Sequence, residues 1–281
     1  MAVVIMAKVP AVYPGELDVS YLAYDGELPN EWELPEDRIP TPRNQNNDYQ
    51  CVAWVFAAII EIMLKVRYGI NKRISTAHIY GDHRNPEART GKGMNEDFAA
   101  SYLVQDGAVF LDEMPYLIEP EACYDYVQAH PELQEEAKRL ASLFKGFVRC
   151  RAQSSEKRFT LIKQALMKYK YPVAGELPGH EVLFVGWKGD CLKYRDVDGT
   201  KWLKLRDYDN IEGGIVFVPS DKNIPFVDVP EKHWARKAIE QAYILGFVNG
   251  NDKGELGPDK SITTAQVIQL IMNVYNDVHR E

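Results

Sequence analysis

NQNNDYQCVAWVFAAIIE, residues 44 to 61, contains the most apolar run of the chain, CVAWVFAAII, and sets a cysteine at its head. Helical spacing continues to Val66, Gly69 is the stop signal, and Asn47 and Asp48 are candidate N-caps. The run is too apolar for a surface helix, so it reads as a central buried one. It is also too short to cross a bilayer, which takes ~20 apolar residues. Cys51 therefore falls at the N-terminus of a buried helix, where the dipole and free N–H groups favour a thiolate. Gln45, six residues earlier in a polar loop, has an amide able to face the same spot. Gln45 and the Cys51 backbone N–H would donate to an oxyanion formed by attack of the thiolate on a carbonyl.

A thiolate nucleophile needs a base, and the candidate is His180 at the head of HEVLFVGW. A short KGD turn joins that strand to CLKYRDV, so the two are antiparallel neighbours and Asp196 comes beside His180. Asp196 would then accept the His180 N–H and fix its tautomer. Other readings stay open. A cysteine with apolar neighbours is usually a core residue, as Cys123, Cys150 and Cys191 are read here. His180 alone would be a satisfied strand histidine. Asp196 and Asp198 in DVDG echo part of a calcium loop, although its bidentate Glu is missing at the required spacing.

Outward from these motifs, residues 1 to about 43 are rich in Pro and Glu and show no helical period. Apolar periodicity predicts helices over 95–106, 132–144 and 156–169. After Pro172 come five short β-branched and aromatic runs: PVAGEL, HEVLFVGW, CLKYRDV, KWLKLRD and GGIVFVP. Helices first and strands second predict an α+β unit with an antiparallel sheet. PSDKNIP reads as a linker, followed by helices over His233–Leu245 and Thr263–Val278 around a Gly-rich loop.

The 281 residues carry 33 Lys+Arg against 41 Asp+Glu, a net charge of -8, which argues against a nucleic-acid partner. Hydrophobic residues at 46% argue against disorder. The four cysteines are widely spaced with no CxxC, so reduced thiols are expected, with no metal and no cofactor. The N-terminus has no secretory pattern and no run long enough for a membrane anchor. The chain as written reads as cytoplasmic, or cell-surface if a leader was removed.

These motifs carry a resemblance. NQNNDYQC resembles the active-site segment of papain-like cysteine proteases, NQGxCGSC, with the Gln-to-Cys step kept. The papain-type His lies about 130 residues downstream of the Cys; GHEVLFVGW resembles the family's xHAVxxVGY, and DVDGTKW its NSWGTxW. GKGMNEDFAASYLVQDGAVFLDEMPY resembles its middle segment. The resemblance runs over residues 28–218, in order. It implies a two-lobed fold, a helical lobe beside an antiparallel barrel or sheet lobe. It also implies a peptidase with Cys51 as nucleophile, His180 as acid and base, Asp196 as orienter and Gln45 as oxyanion donor. Gly93, Met94 and Gly179 would bind substrate, the first two lining the pocket for the second side chain before the cut. Asp196 stands where the family has Asn, and Val52 and Asp198 stand where it has Trp. Those departures support a second reading, a degenerate papain fold kept for binding or assembly. A third keeps the nucleophile for an isopeptide or acyl-transfer substrate.

FVDVPEKHWARKAIEQAYILGFVNGNDKGELGPDKSITTAQ resembles one S-layer homology module, on Phe226, Asp228, His233, Trp234, Gly250, Gly254, Pro258 and Ile262 among others. Phe226 and Trp234 would anchor its loop. Such modules bind anionic wall polysaccharide, but Thr264 stands in place of the family's ligand-binding Arg. That ranks docking or homo-oligomerisation above wall binding. The organisation expected is a 1–27 arm or short prosegment, a 28–218 peptidase domain, a 219–225 linker and a 226–281 module, of bacterial or phage origin.

Overall fold

The computed structural model describes residues 13–41, 49–82, 93–196, 199–204, 211–221, 224–261, 267–268 and 271–272. Contacts divide the chain into two compact units, Met1–Pro219 and Ser220–Glu281. Among the described residues no helix is long and apolar enough to cross a membrane.

The first unit is built around α1 (Cys51–Tyr68), which is buried on nearly every side. Ala, Leu and Met supply helix propensity, and neither Gly nor Pro interrupts it before Gly69. Gly69 takes the left-handed conformation at φ 72°, and its N–H and that of Ile70 return to Lys65 and Leu64 carbonyls. Glu61 lies inside this apolar helix, and its two oxygens meet Arg73 Nη1 and the Ile74 N–H, each at 2.9 Å. Around α1 stand α2 (Thr76–Asp82), α3 (Glu96–Asp106), α4 (Pro120–Ala129) and α5 (Glu132–Ala141). The expected helix over 132–144 ends at Ala141, because Phe144 leaves it to start a strand.

The strands are β1 (Glu31–Glu33), β2 (Phe144–Arg149), β3 (Val173–Leu177), β4 (His180–Lys188), β5 (Cys191–Asp196), β6 (Gly199–Lys204) and β7 (Gly213–Pro219). The helix α6 (Ser155–Tyr169) separates β2 from β3, with Ser154 accepting from the Lys157 N–H at its cap. All five strands expected after Pro172 are present. The sheet runs β2-β7-β3-β4-β5-β6 with antiparallel neighbours. β1 joins beside Gly186–Lys188 of β4, where β3 has already ended at Phe184.

Both faces of the sheet are covered. Val216 and Val218 of β7 join a cluster with Ile162 and Leu166 of α6, while Phe217 between them meets Phe56 of α1 edge-on at 4.9 Å. That is why GGIVFV is continuously apolar and does not alternate. Residues 13–27 belong to this unit. Tyr13 and Leu22 are buried, Glu16 pairs with Arg149, and the Leu17 N–H donates to Phe147.

In the second unit Ile224, Phe226 and Val229 form a small core against Ile239 and Tyr243, the latter two on α7 (Arg236–Ile244). Asp228 caps a loop by accepting the Leu256 and Gly257 N–H groups at 2.9 and 2.6 Å. These donors hold its carboxyl below the usual range. Phe226 anchors this loop as expected, but Trp234 does not. Its ring is 87% exposed and lies over His233, outside the core. Most of the expected helix over Thr263–Val278, with Thr264, lies outside the described residues.

Candidate active site

The N-terminus of α1 is held by the residue before Cys51. Gln50 is buried, and its Nε2 donates to the Leu117 and Ile118 carbonyls at 2.7 and 3.3 Å. Its own carbonyl accepts the Trp54 N–H at 2.9 Å, and the Trp54 ring stands 5.9 Å from Tyr116. Cys51 is thus the first residue of a pinned helix, half-buried and without a disulfide. The N–H groups of a first helical turn have no intrahelical acceptor, so partial positive charge collects there.

His180 is the first residue of β4. Pro178 and Gly179 make the two-residue turn that pairs it with Leu177, and Gly179 supplies the φ of 70°. Asp196 is the last residue of β5. The β4–β5 ladder pairs Leu183 with Arg195, which leaves the two strand ends side by side. Asp196 Oδ1 lies 2.9 Å from His180 Nε2, and its Oδ2 lies 3.2 Å from Lys201 Nζ on β6. The other influence on His180 comes from Cys51, at the head of α1. Cys51, with Asp196 adding to it against the effect of burial, raises the His180 pKa to about 9. A proton therefore rests on the imidazole at neutral pH, between sulfur and carboxylate.

The structure thus brings Cys51, His180 and Asp196 together from α1, β4 and β5. Gly179 is the turn beside His180. Gly93 and Met94 are half-buried on the approach to α3, where the Gly93 N–H donates to the Tyr80 hydroxyl at 3.1 Å. Gln45 and Asp198 lie outside the described residues.

Sequence reasoning missed a set of carboxyls gathered around Arg151 and the start of β4. Glu176 and Glu181 face each other across β3 and β4, and Glu96 and Asp97 open α3. Arg151 Nη2 reaches Glu96 at 3.0 Å and Glu176 at 3.5 Å, and its Nη1 reaches Asp97 at 3.0 Å. The carboxyls of Glu176 and Glu181 add to the negative charge around Glu96. Burial first, and neighbouring negative charge second, push the Glu96 carboxyl far up, and burial does the same to Glu181. Glu181 directly follows His180 on β4. The signal was present: a Glu inside HEVLFVGW and another inside PVAGEL interrupt otherwise apolar strands.

Three solved structures share this architecture. The proform of the Amb a 11 cysteine protease of ragweed pollen superposes with a TM-score of 0.56 at 16% identity, covering 75% of this chain and 72% of that one. Digestive procathepsin L 3 of Tenebrio molitor larval midgut gives 0.54 at 12%, covering 71% and 77%. The bromelain protease of Ananas comosus, bound to the E64 inhibitor, gives 0.51 at 12%, covering 68% and 100%. The chain has the papain-like cysteine protease fold, an α+β arrangement of a helical lobe and an antiparallel sheet. An S-layer homology domain follows, matched over residues 225–268. An endoglucanase of Bacillus sp. (strain KSM-635) is 35% identical over 68 residues, 24% of this chain. The chain spans 7% of the length of that relative.

Proposed function

We propose that the first unit is a cysteine peptidase. The His180–Asp196 hydrogen bond, with Cys51 acting on the same imidazole from a helix N-terminus in a papain-like fold, carries this reading. Cys51 attacks the scissile carbonyl carbon as a thiolate. The Cys51 backbone N–H, with the Gln45 amide, receives the oxyanion. His180 gives its proton to the leaving amine, and the acyl group remains on sulfur as a thioester. His180 then takes a proton from water as that water attacks the thioester, releasing the acid and restoring the thiolate. Asp196 holds the imidazole from the far side throughout.

Treatment of the full chain with a papain-class epoxide at neutral pH, read by intact mass and peptide mapping, tests it. One adduct on Cys51 is expected, absent in Cys51→Ala and formed about 10²–10⁴-fold more slowly in His180→Ala. Folded, reduced protein that forms no adduct sinks the reading. That result would favour the binding-protein alternative, whose support is Val52 and Asp198 standing where the family has Trp.

For the second unit we propose an interaction role at a bacterial cell surface or between copies of the chain. Exposed Trp234 and Val227 are apolar surface for such a contact. Light scattering of the full chain and of Trp234→Ala checks it: self-association lost in the variant supports the contact between copies, and a monomer throughout removes it.

A further inference from the structure

At the end of α1 away from the thiol lies a cavity of about 240 Å³. Four cations line it, Arg38, Lys65, Lys72 and Arg73, against one acid, Glu61. Positive charge is thus gathered at one place in a chain whose net charge is -8. Cys51 and Lys65 are separated by about 21 Å along the α1 axis, at roughly 1.5 Å per residue, so the cavity is distinct from the candidate active site.

The acceptors around this cavity are already engaged. Glu61 is 6% exposed, and its two oxygens take the Arg73 Nη1–H and the Ile74 N–H. The Thr41 carbonyl accepts from Arg73 Nη2 at 3.2 Å, and the Asp37 carbonyl accepts from Lys65 Nζ. Asp112, which is outside the lining, pairs with Lys72 Nζ at 2.9 Å. Donors remain. A guanidinium has five N–H donors and an ammonium has three. Among the described residues Arg73 uses two of its five, Lys65 uses one of its three, and Arg38 makes no ion pair. Glu61 and Asp112 neutralise two of the four positive charges and leave two over.

We infer that this cavity binds a phosphate group. Arg38 comes to it from the turn Glu36–Arg38, Lys65 from α1, and Lys72 and Arg73 from the segment after α1. A tetrahedral oxyanion offers acceptors in every direction and suits donors that arrive from three elements, whereas a carboxylate offers them in one plane. Glu61 fixes Arg73 through Nη1 and leaves the rest of its fork for the anion. The volume is below the roughly 300–1,000 Å³ of pockets that bury a drug-sized ligand. The cavity therefore takes the free ion, or one phosphate of a larger molecule whose remainder stays outside. The inference is independent of the peptidase reading.

Calorimetric titration of the full chain with inorganic phosphate, in a chloride buffer of low ionic strength, tests this. One site per chain is expected, weakened by added salt and about tenfold or more weaker in Arg38→Gln and in Lys65→Gln. Neither of those side chains is paired with a buried acid among the described residues, and a thermal midpoint confirms that each variant is folded. Glycerol phosphate and a glycerol phosphodiester are titrated in parallel. Esters that bind as tightly as inorganic phosphate, or more tightly, assign the site to a phosphate carried on a larger molecule. Weaker or absent binding of the esters assigns it to the free ion. A folded chain that gives no heat with inorganic phosphate and no rise in its thermal midpoint overturns the site. So does an affinity that neither substitution lowers, since the anion then sits elsewhere. No arm of this test uses the reactivity of Cys51, so its failure leaves the peptidase reading untouched.

Discussion

At neutral pH His180, Glu96 and Glu181 hold protons that the unfolded chain has mostly released. A histidine raised from 6.5 to about 9 contributes stability that is fully present below about 6.5 and is lost as pH rises through about 9. Carboxyls raised above 4.5 act in the same direction, since above 4.5 the folded state keeps protons that the unfolded state has lost. Stability of the first unit is therefore expected to fall from about pH 5 upward. Urea midpoints across that range should fall less steeply in Glu96→Gln. An imidazole NMR titration of His180 should give a midpoint near 9. Cys51→Ala should lower it more than Asp196→Asn, because the sulfur is the larger cause. A smaller drop in Cys51→Ala would contradict the sulfur as the larger cause. The histidine and its aspartate were legible because one short turn joins their strands. The carboxyls around Arg151 were not, since α3 and β3 come to the same guanidinium only in the folded chain.

Among the elements, α1 shows how a long buried helix tolerates one acid. Glu61 answers Arg73 and the Ile74 N–H, so Glu61→Ala should cost about 2 kcal/mol, read by denaturant unfolding. Gly69→Ala places a Cβ in open space at φ 72°, so only backbone strain opposes it, and about 1 kcal/mol of destabilisation is expected. A neutral result there would mean the helix end relaxes. The sequence showed α1, α3 and α6 because each is long enough to display a period and is bounded by Gly69, Asn95 or Ser154. It hid α2, which has 7 residues, and it disguised β2 as the apolar tail of α5. Periodicity over so few residues does not separate helix from strand.

Over the whole molecule, residues 13–27 pack as part of the first unit, in a segment whose prolines read as an arm. Tyr13 and Leu22 are buried and Glu16 pairs with Arg149. Removing residues 1–27 is therefore expected to unfold the first unit, where loss of a removable prosegment would unblock it. Deleting even one large core side chain costs about 2–5 kcal/mol, against a total of about 5–15. Circular dichroism and Cys51 labelling of the truncated chain check this; faster labelling with an intact spectrum would restore the prosegment view. Deletion of 220–281 should leave Cys51 labelling unchanged, as all three residues of the series lie in Met1–Pro219.

The place of β1 on β4 also sets an order of events during synthesis. Trp32 is translated early, yet its partner Trp187 leaves the ribosome far later, and the Trp187 Nε1–H must still find the Pro29 carbonyl at 3.0 Å. Until then Tyr13, Leu22 and Trp32 have no sheet to rest on. The nascent chain carries an unpaired aromatic strand through most of translation, which exposes it to premature association. The strand bearing His180 thus has one neighbour, β1, from the start of the chain and two, β3 and β5, from beside it in sequence.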